Sequence, residues 1–220
     1  MQTTQVTRQE PLLQERLLGV VHIPESGGSV SLYDTSKSFR EPSFRISLTE
    51  GLSASVIVNE AERLFKAKHP EAERFLLDPK TREEMLSQES VQTSLPKDFF
   101  LTLPFKTLGK DLYRQQEFLK REGMAPASLG QIIAFGVLSQ VVDQRPAGPF
   151  CGYYVRSVEG ATPWNLSWKT DCGITASENV RHSRTDSGFV MMAGVRPSDA
   201  PERDHPKKTW ADSLRTGFRI

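Results

Sequence analysis

The stretch SLGQIIAFGVLSQVV, from Ser128 to Val142, decides how this chain folds. On a helical wheel Leu129, Ile132, Ile133, Val137, Leu138, Val141 and Val142 cover most of the circumference. Ser128, Gln131 and Ser139 share the one narrow polar stripe. A helix apolar over so much of its surface is buried on several sides. The spacing therefore predicts the central helix of the fold, with Ser128 as its N-cap. The stretch is too short to span a bilayer, and Gln131 and Gln140 interrupt it.

Downstream lies the clearest break in the chain, Gln144-Arg145-Pro146-Ala147-Gly148-Pro149. Beyond it the hydrophobic period changes from helix to strand. Phe150 to Val158, Trp164 to Thr170, Cys172 to Ala176 and Phe189 to Val195 read as an antiparallel meander, with turn chemistry at Glu159-Gly160, Asp171 and Asp186-Ser187-Gly188. The last of these strands is apolar on both faces and is expected at the centre of a sheet.

Upstream, Leu17 to Ile23 and Ser29 to Tyr33 flank Gly27-Gly28, a hairpin signal. Phe44 to Leu48 alternates as a third strand. Ser53 or Ser55 caps a helix reaching Lys68, and shorter helical pieces come next at Glu71 to Leu77 and Thr81 to Gln88. Phe99 to Leu103, between Pro96 and Pro104, reads as an edge strand or a buried loop. Lys110 to Arg121 reads as a helix that Gly123 ends.

These elements give an α+β class. The expected architecture is an antiparallel sheet, mainly from the C-terminal half, packed on the buried helix, with an N-terminal hairpin-plus-helix portion joined to it. Residues 1–10 read as a flexible lead, 11–196 as one domain with a possible subdomain boundary near 144–149, and 197–220 as a polar tail. That tail carries Trp210 and Phe218, unusual in pure linker, which suggests docking on the body or on a partner.

Lys and Arg number 28 against 27 Asp and Glu. So balanced a charge argues against sequence-independent nucleic-acid binding, which draws on neutralised phosphates, although it leaves room for a local basic patch. The polar start has no apolar export segment, and two cysteines, Cys151 and Cys172, suit free thiols in a reducing compartment. The expectation is a cytoplasmic, non-membrane protein.

The candidate chemistry gathers between the strands. Cys172 follows Asp171, and His182 lies where a hairpin would return it to that thiol, the pairing a nucleophile and its base require. The plainer reading of Cys172 is a small buried hydrophobe. Arg181 and Arg184 flank His182 and Ser183. Guanidinium forks match phosphate or carboxylate, and Arg156 and Lys169 would enlarge the patch if their faces agree. A solvated loop is the plainer reading there. Trp164 and Trp168 share a strand face, as a stacking platform or as core. The four histidines show no metal-binding spacing, so no metal or cofactor is expected.

Two functions of different class are expected. The first is a non-catalytic binding or protein-interaction module, with partner contact or self-association through the tail at Trp210 and Phe218. The second is an enzyme on a small anionic substrate, using residues 171–187.

Overall fold

The computed structural model describes residues 14–37, 43–49, 51–68, 70, 77, 79–103, 112–142, 154–159, 162–169, 173–178 and 190–197. Its elements run β1 (Arg16–Ile23), β2 (Gly28–Asp34), β3 (Ser43–Leu48), α1 (Ala54–Lys68), α2 (Pro79–Leu86), α3 (Glu89–Gln92), β4 (Asp98–Thr102), α4 (Leu112–Arg121), β5 (Ala125–Pro126), α5 (Leu129–Val141), β6 (Tyr154–Glu159), β7 (Thr162–Lys169), β8 (Gly173–Glu178), β9 (Val190–Met192) and β10 (Gly194–Pro197). Two sheets result. One has six strands in the order β1-β2-β3-β4-β10-β5, all antiparallel; the other has four in the order β8-β7-β6-β9. The α+β class stands.

The β1–β2 hairpin forms where Gly27 takes φ 65°, a conformation that costs a residue without Cβ little. Pairing then alternates the strands between an inner and an outer face. The inner rows are Val21–Val30–Leu48, Leu32–Ile46–Phe99 and Phe44–Leu101–Val195. Most of these side chains are buried in one continuous core with α1 and α5. Phe44 meets Phe135 of α5 with ring centroids 4.7 Å apart and planes tilted 44°, a favourable aromatic geometry.

Helix α5 is the centre, as its composition demands. Twelve of its thirteen residues are buried. It touches α1 and α3, β2 of the larger sheet and β6 of the smaller one, so a stripe on only one side would not serve. Its polar stripe is buried too, because the polar groups turn back on the helix itself. Ser128 Oγ accepts the Gln131 N–H at 3.3 Å while Gln131 Oε1 accepts the Ser128 N–H at 2.9 Å, and Ser139 Oγ donates to the Gly136 carbonyl at 2.8 Å. The first two bonds make a capping box that satisfies two otherwise orphaned N–H groups. At the other end Lys68 Nζ donates to the Val141 carbonyl at 3.2 Å, placing a cation where the helix dipole is negative. Gly130 lies so close to α3 that an added Cβ would overlap the Ser90 carbonyl oxygen.

Three differences from the sequence reading have physical causes. The larger sheet draws four of its six strands from residues before 103, rather than mainly from the C-terminal half. Phe99 to Leu103 belongs to an interior strand between β3 and β10, because its second partner arrives from the far end of the chain. The apolar run ending at Val195 is, from Val190 on, two strands. β9 joins the smaller sheet, the chain passes through buried Ala193, and β10 enters the larger sheet between β4 and β5. The Ala193 carbonyl accepts the Ala127 N–H at 2.9 Å, which fixes this crossing. The larger sheet therefore takes strands from both sides of Gln144–Pro149.

Candidate functional site

The outer face of the larger sheet is divided. At its β10 end α4 closes it. A Cβ on Gly194 would come within 2.8 Å of both Leu119 Cδ2 and Met124 Sδ, so the glycine permits that approach. At the β1 end the face is open.

The open half owes its surface to a bulge. Leu17 pairs Tyr33, but Gly19 pairs Leu32 and Val20 pairs Ser31, so one extra residue sits in β1. A bulge re-aims the side chains beyond it. Leu17 and Val20, three positions apart, consequently fall on one face, where they are 53% and 42% exposed. Leu18 and Val21 fall on the other and join the core. Without the bulge, period-two alternation would put Leu17 and Val20 on opposite faces. Among the described residues β1 pairs only with β2.

Beside them Arg45 is held on three sides. Its Nη2 lies 2.7 Å from Glu15 Oε2, its Nη1 3.3 Å from Asp98 Oδ1, and its guanidinium carbon 4.4 Å from the centre of the Tyr33 ring. This is a cation–π stack pinned by two carboxylates. A residue so engaged is a rigid wall rather than an available anion clamp. Next to it Ser29, Ser31, Ser47, Thr49 and Lys97 line a shallow depression of about 400 Å³. Thr49 Oγ1 accepts the Ser29 N–H at 3.0 Å, so part of that lining is already used to close the sheet end.

On α1 the buried Glu60 takes a two-pronged hydrogen bond from Arg63, at 2.8 Å from Nε and 2.6 Å from Nη2. That bond holds the Glu60 carboxyl below its usual range, against the opposing effect of burial. The same bond raises Arg63. Arg82 ties α2 to α1 through Glu62 at 3.0 Å and Asn59 at 2.7 Å. These pairs brace the helices, and nothing in their geometry presents a reactive group to a cleft.

Of the residues singled out in the sequence, Cys172, Arg181, His182, Arg184, Trp210 and Phe218 lie outside the described residues. Arg156, Trp164 and Trp168 lie on β6 and β7, where register assigns their faces. Ser157 pairs Trp164, which pairs Glu178; Arg156 pairs Asn165, which pairs Ser177. One face of the smaller sheet thus carries Val155, Ser157, Trp164, Leu166, Trp168, Ile174, Ala176 and Met191, together with Glu159 and Glu178. The other carries Tyr154, Arg156, Asn165, Ser167, Lys169, Thr175 and Ser177, with Val158, Val190 and Met192 on β6 and β9. Arg156 and Lys169 do share a face, and it is not the face of Trp164 and Trp168. The open surface at Leu17 and Val20 escaped the sequence reading, because a bulge leaves no mark in local composition.

Among the described residues no cluster of three or more His, Cys, Asp or Glu stands ready for a metal ion. No helix among them is long and apolar enough to cross a membrane. No family model matches the chain, and comparison with curated proteins and with solved structures likewise gave no match. What the fold defines is a class by architecture: a two-sheet α+β protein built around one enclosed helix.

Proposed function

We propose that this protein is a non-catalytic protein-interaction module, cytosolic in setting, that takes an extended segment of a partner protein along β1. The observation that supports this reading is the bulged strand β1, with Leu17 and Val20 exposed on one face and, among the described residues, no second strand on its other edge. Strand addition draws affinity from main-chain hydrogen bonds and specificity from alternate side chains. The bulge confines the regular edge to Gly19–Ile23, long enough for a short peptide strand. Leu17 and Val20 on the exposed face call for apolar side chains at alternate positions of the added segment. Trp210 and Phe218 of the tail supply a second contact in this reading.

The test is selection of peptides from a displayed random library on the immobilised full chain. Sequences with apolar side chains at alternate positions should be enriched, and their binding should shift the backbone amides of Gly19 to Ile23. Val20→Lys should weaken that binding at least tenfold with the melting temperature unchanged. Peptides that bind the Val20→Lys protein equally well would remove the reading. A concentration-dependent dimer abolished by Val20→Lys would replace the partner by a second copy of the chain.

A further inference from the structure

The bulge in β1 brings two successive residues, Leu18 and Gly19, to the inner side of the larger sheet. Gly19 pairs the buried Leu32, and Leu18 packs against the core. A regular strand does not do this, since its successive side chains alternate between faces. The place beside Leu18 is taken by the end of α5. A Cβ on Gly19 would lie 2.8 Å from Val142 Cβ and closer still to Val142 Cγ1. Val142 caps the C-terminal end of α5. Its Cβ is fixed to the backbone and its χ1 is stiff, so no rotamer change relieves that overlap.

From this contact we infer that Gly19 and Val142 together select the register of β1, which has a second register in reach with a different exposed face. The device holds with or without a partner on β1. In the second register the extra residue is gone, and the pairing of Gly19–Ile23 continues backwards. Leu18 then pairs Tyr33 and Leu17 pairs Asp34. A slip of one residue moves a side chain to the other face, so Leu18 turns outward beside Val20 and Leu17 turns inward. Val21 and Ile23 keep their buried places. The exchange swaps one leucine for another and gives up the Arg16–Asp34 ion pair, whose arginine is exposed and contributes little. Two registers so close in cost are separated by what fits under the end of α5. With no side chain at position 19, Leu18 and Val142 both fit, and the bulge sets Leu17 and Val20 on one face. A side chain at that position overpacks the space, and the regular register relieves the crowding by turning Leu18 out.

The experiment uses the full chain with one cysteine introduced at a time, Leu17→Cys or Leu18→Cys, and a thiol reagent. Peptide mass mapping separates these sites from Cys151 and Cys172. With Gly19 and Val142 in place, position 17 should label at least tenfold faster than position 18. Adding Gly19→Ala should reverse that order, and adding Val142→Gly to it should restore the first order. Glycine is well tolerated at the C-terminal end of a helix, so Val142→Gly is a mild change. Equal labelling of the two positions before either change overturns the inference. So does a Gly19→Ala protein that keeps the first order, whatever its stability, because the contact is then packing alone. Reversal that persists in the double variant overturns it too, since Val142 would have no part in the choice. Should Gly19→Ala not fold, the double variant decides. Folding with the first order supports the device, and failure to fold overturns it.

Discussion

The two sheets solve the same problem in opposite ways. The smaller sheet is largely consecutive, with β6, β7 and β8 succeeding one another as an antiparallel meander, and only β9 arrives out of order, parallel to β6. The larger sheet begins as consecutively, through β1, β2 and β3, yet two of its last three strands are short pieces from elsewhere. Four-residue β10 sits between β4 and two-residue β5. A sheet built from neighbours in sequence closes loops at little entropic cost, whereas inserting β10 beside β4 closes a loop of roughly ninety residues. The larger sheet is therefore complete only when the whole chain up to Pro197 is present. The smaller one reports its faces directly through alternation.

The largest expected effect breaks that contrast at β10. A chain ending at Pro197 should keep a cooperative urea transition close to that of the full protein. A chain ending before Val190 should lose it, because β4 and Ala127 are left without their partners. If a fragment ending near Asp143 folds by circular dichroism and amide dispersion, the larger sheet does not depend on β10, and the interleaving has no energetic meaning.

Leu138→Ala tests the enclosed helix between the sheets. Leu138 is 1% exposed, and a leucine truncated in such a place leaves a cavity, costing about 2–5 kcal/mol. Chemical denaturation should show this loss with the slope unchanged. A loss under about 1 kcal/mol would mean that the helix is loosely covered on one side, contrary to its position between β2 and β6.

The smallest effect lies on α1, at Glu60. Its carboxyl is held below the ordinary value of 4.5 by the Arg63 hydrogen bond. A group depressed on folding adds stability above its unfolded value and loses it as pH falls through the folded one. Glu60→Gln should therefore lower the denaturation midpoint slightly at neutral pH, and the two proteins should converge as the pH falls below about 4. Arg63 is exposed, so the difference is small. A gap that stays constant down to acid pH would show that the glutamine disturbs packing rather than removing a charge.

Much of the local structure was legible in the residues. The enclosed helix followed from the absence of any broad polar side between Ser128 and Val142, and the structure puts the capping box where Ser128 and Gln131 stand three apart. The Gly27 hairpin and the Gly123 helix stop, at φ 69°, followed from glycine placed where positive φ is needed. The common face of Trp164 and Trp168 was equally readable, because side-chain period in a strand is two.

The faces of the two sheets were not legible in the same way. Leu17 and Val20 share a face only because a bulge shifts the register between them, and register is a relation between two strands. Whether Arg156 and Lys169 agree in face depended on the pairing of β6 with β7, which neither strand specifies alone. The run ending at Val195 looked like one buried strand, since hydrophobicity records that a segment is covered and not by which sheet. The sequence by itself determined which segments form helices and strands and which of them must be buried, because propensity and periodicity are local. Only the tertiary structure decided strand order, the split at Ala193 and the membership of each exposed face, because these rest on pairings between residues far apart in the chain.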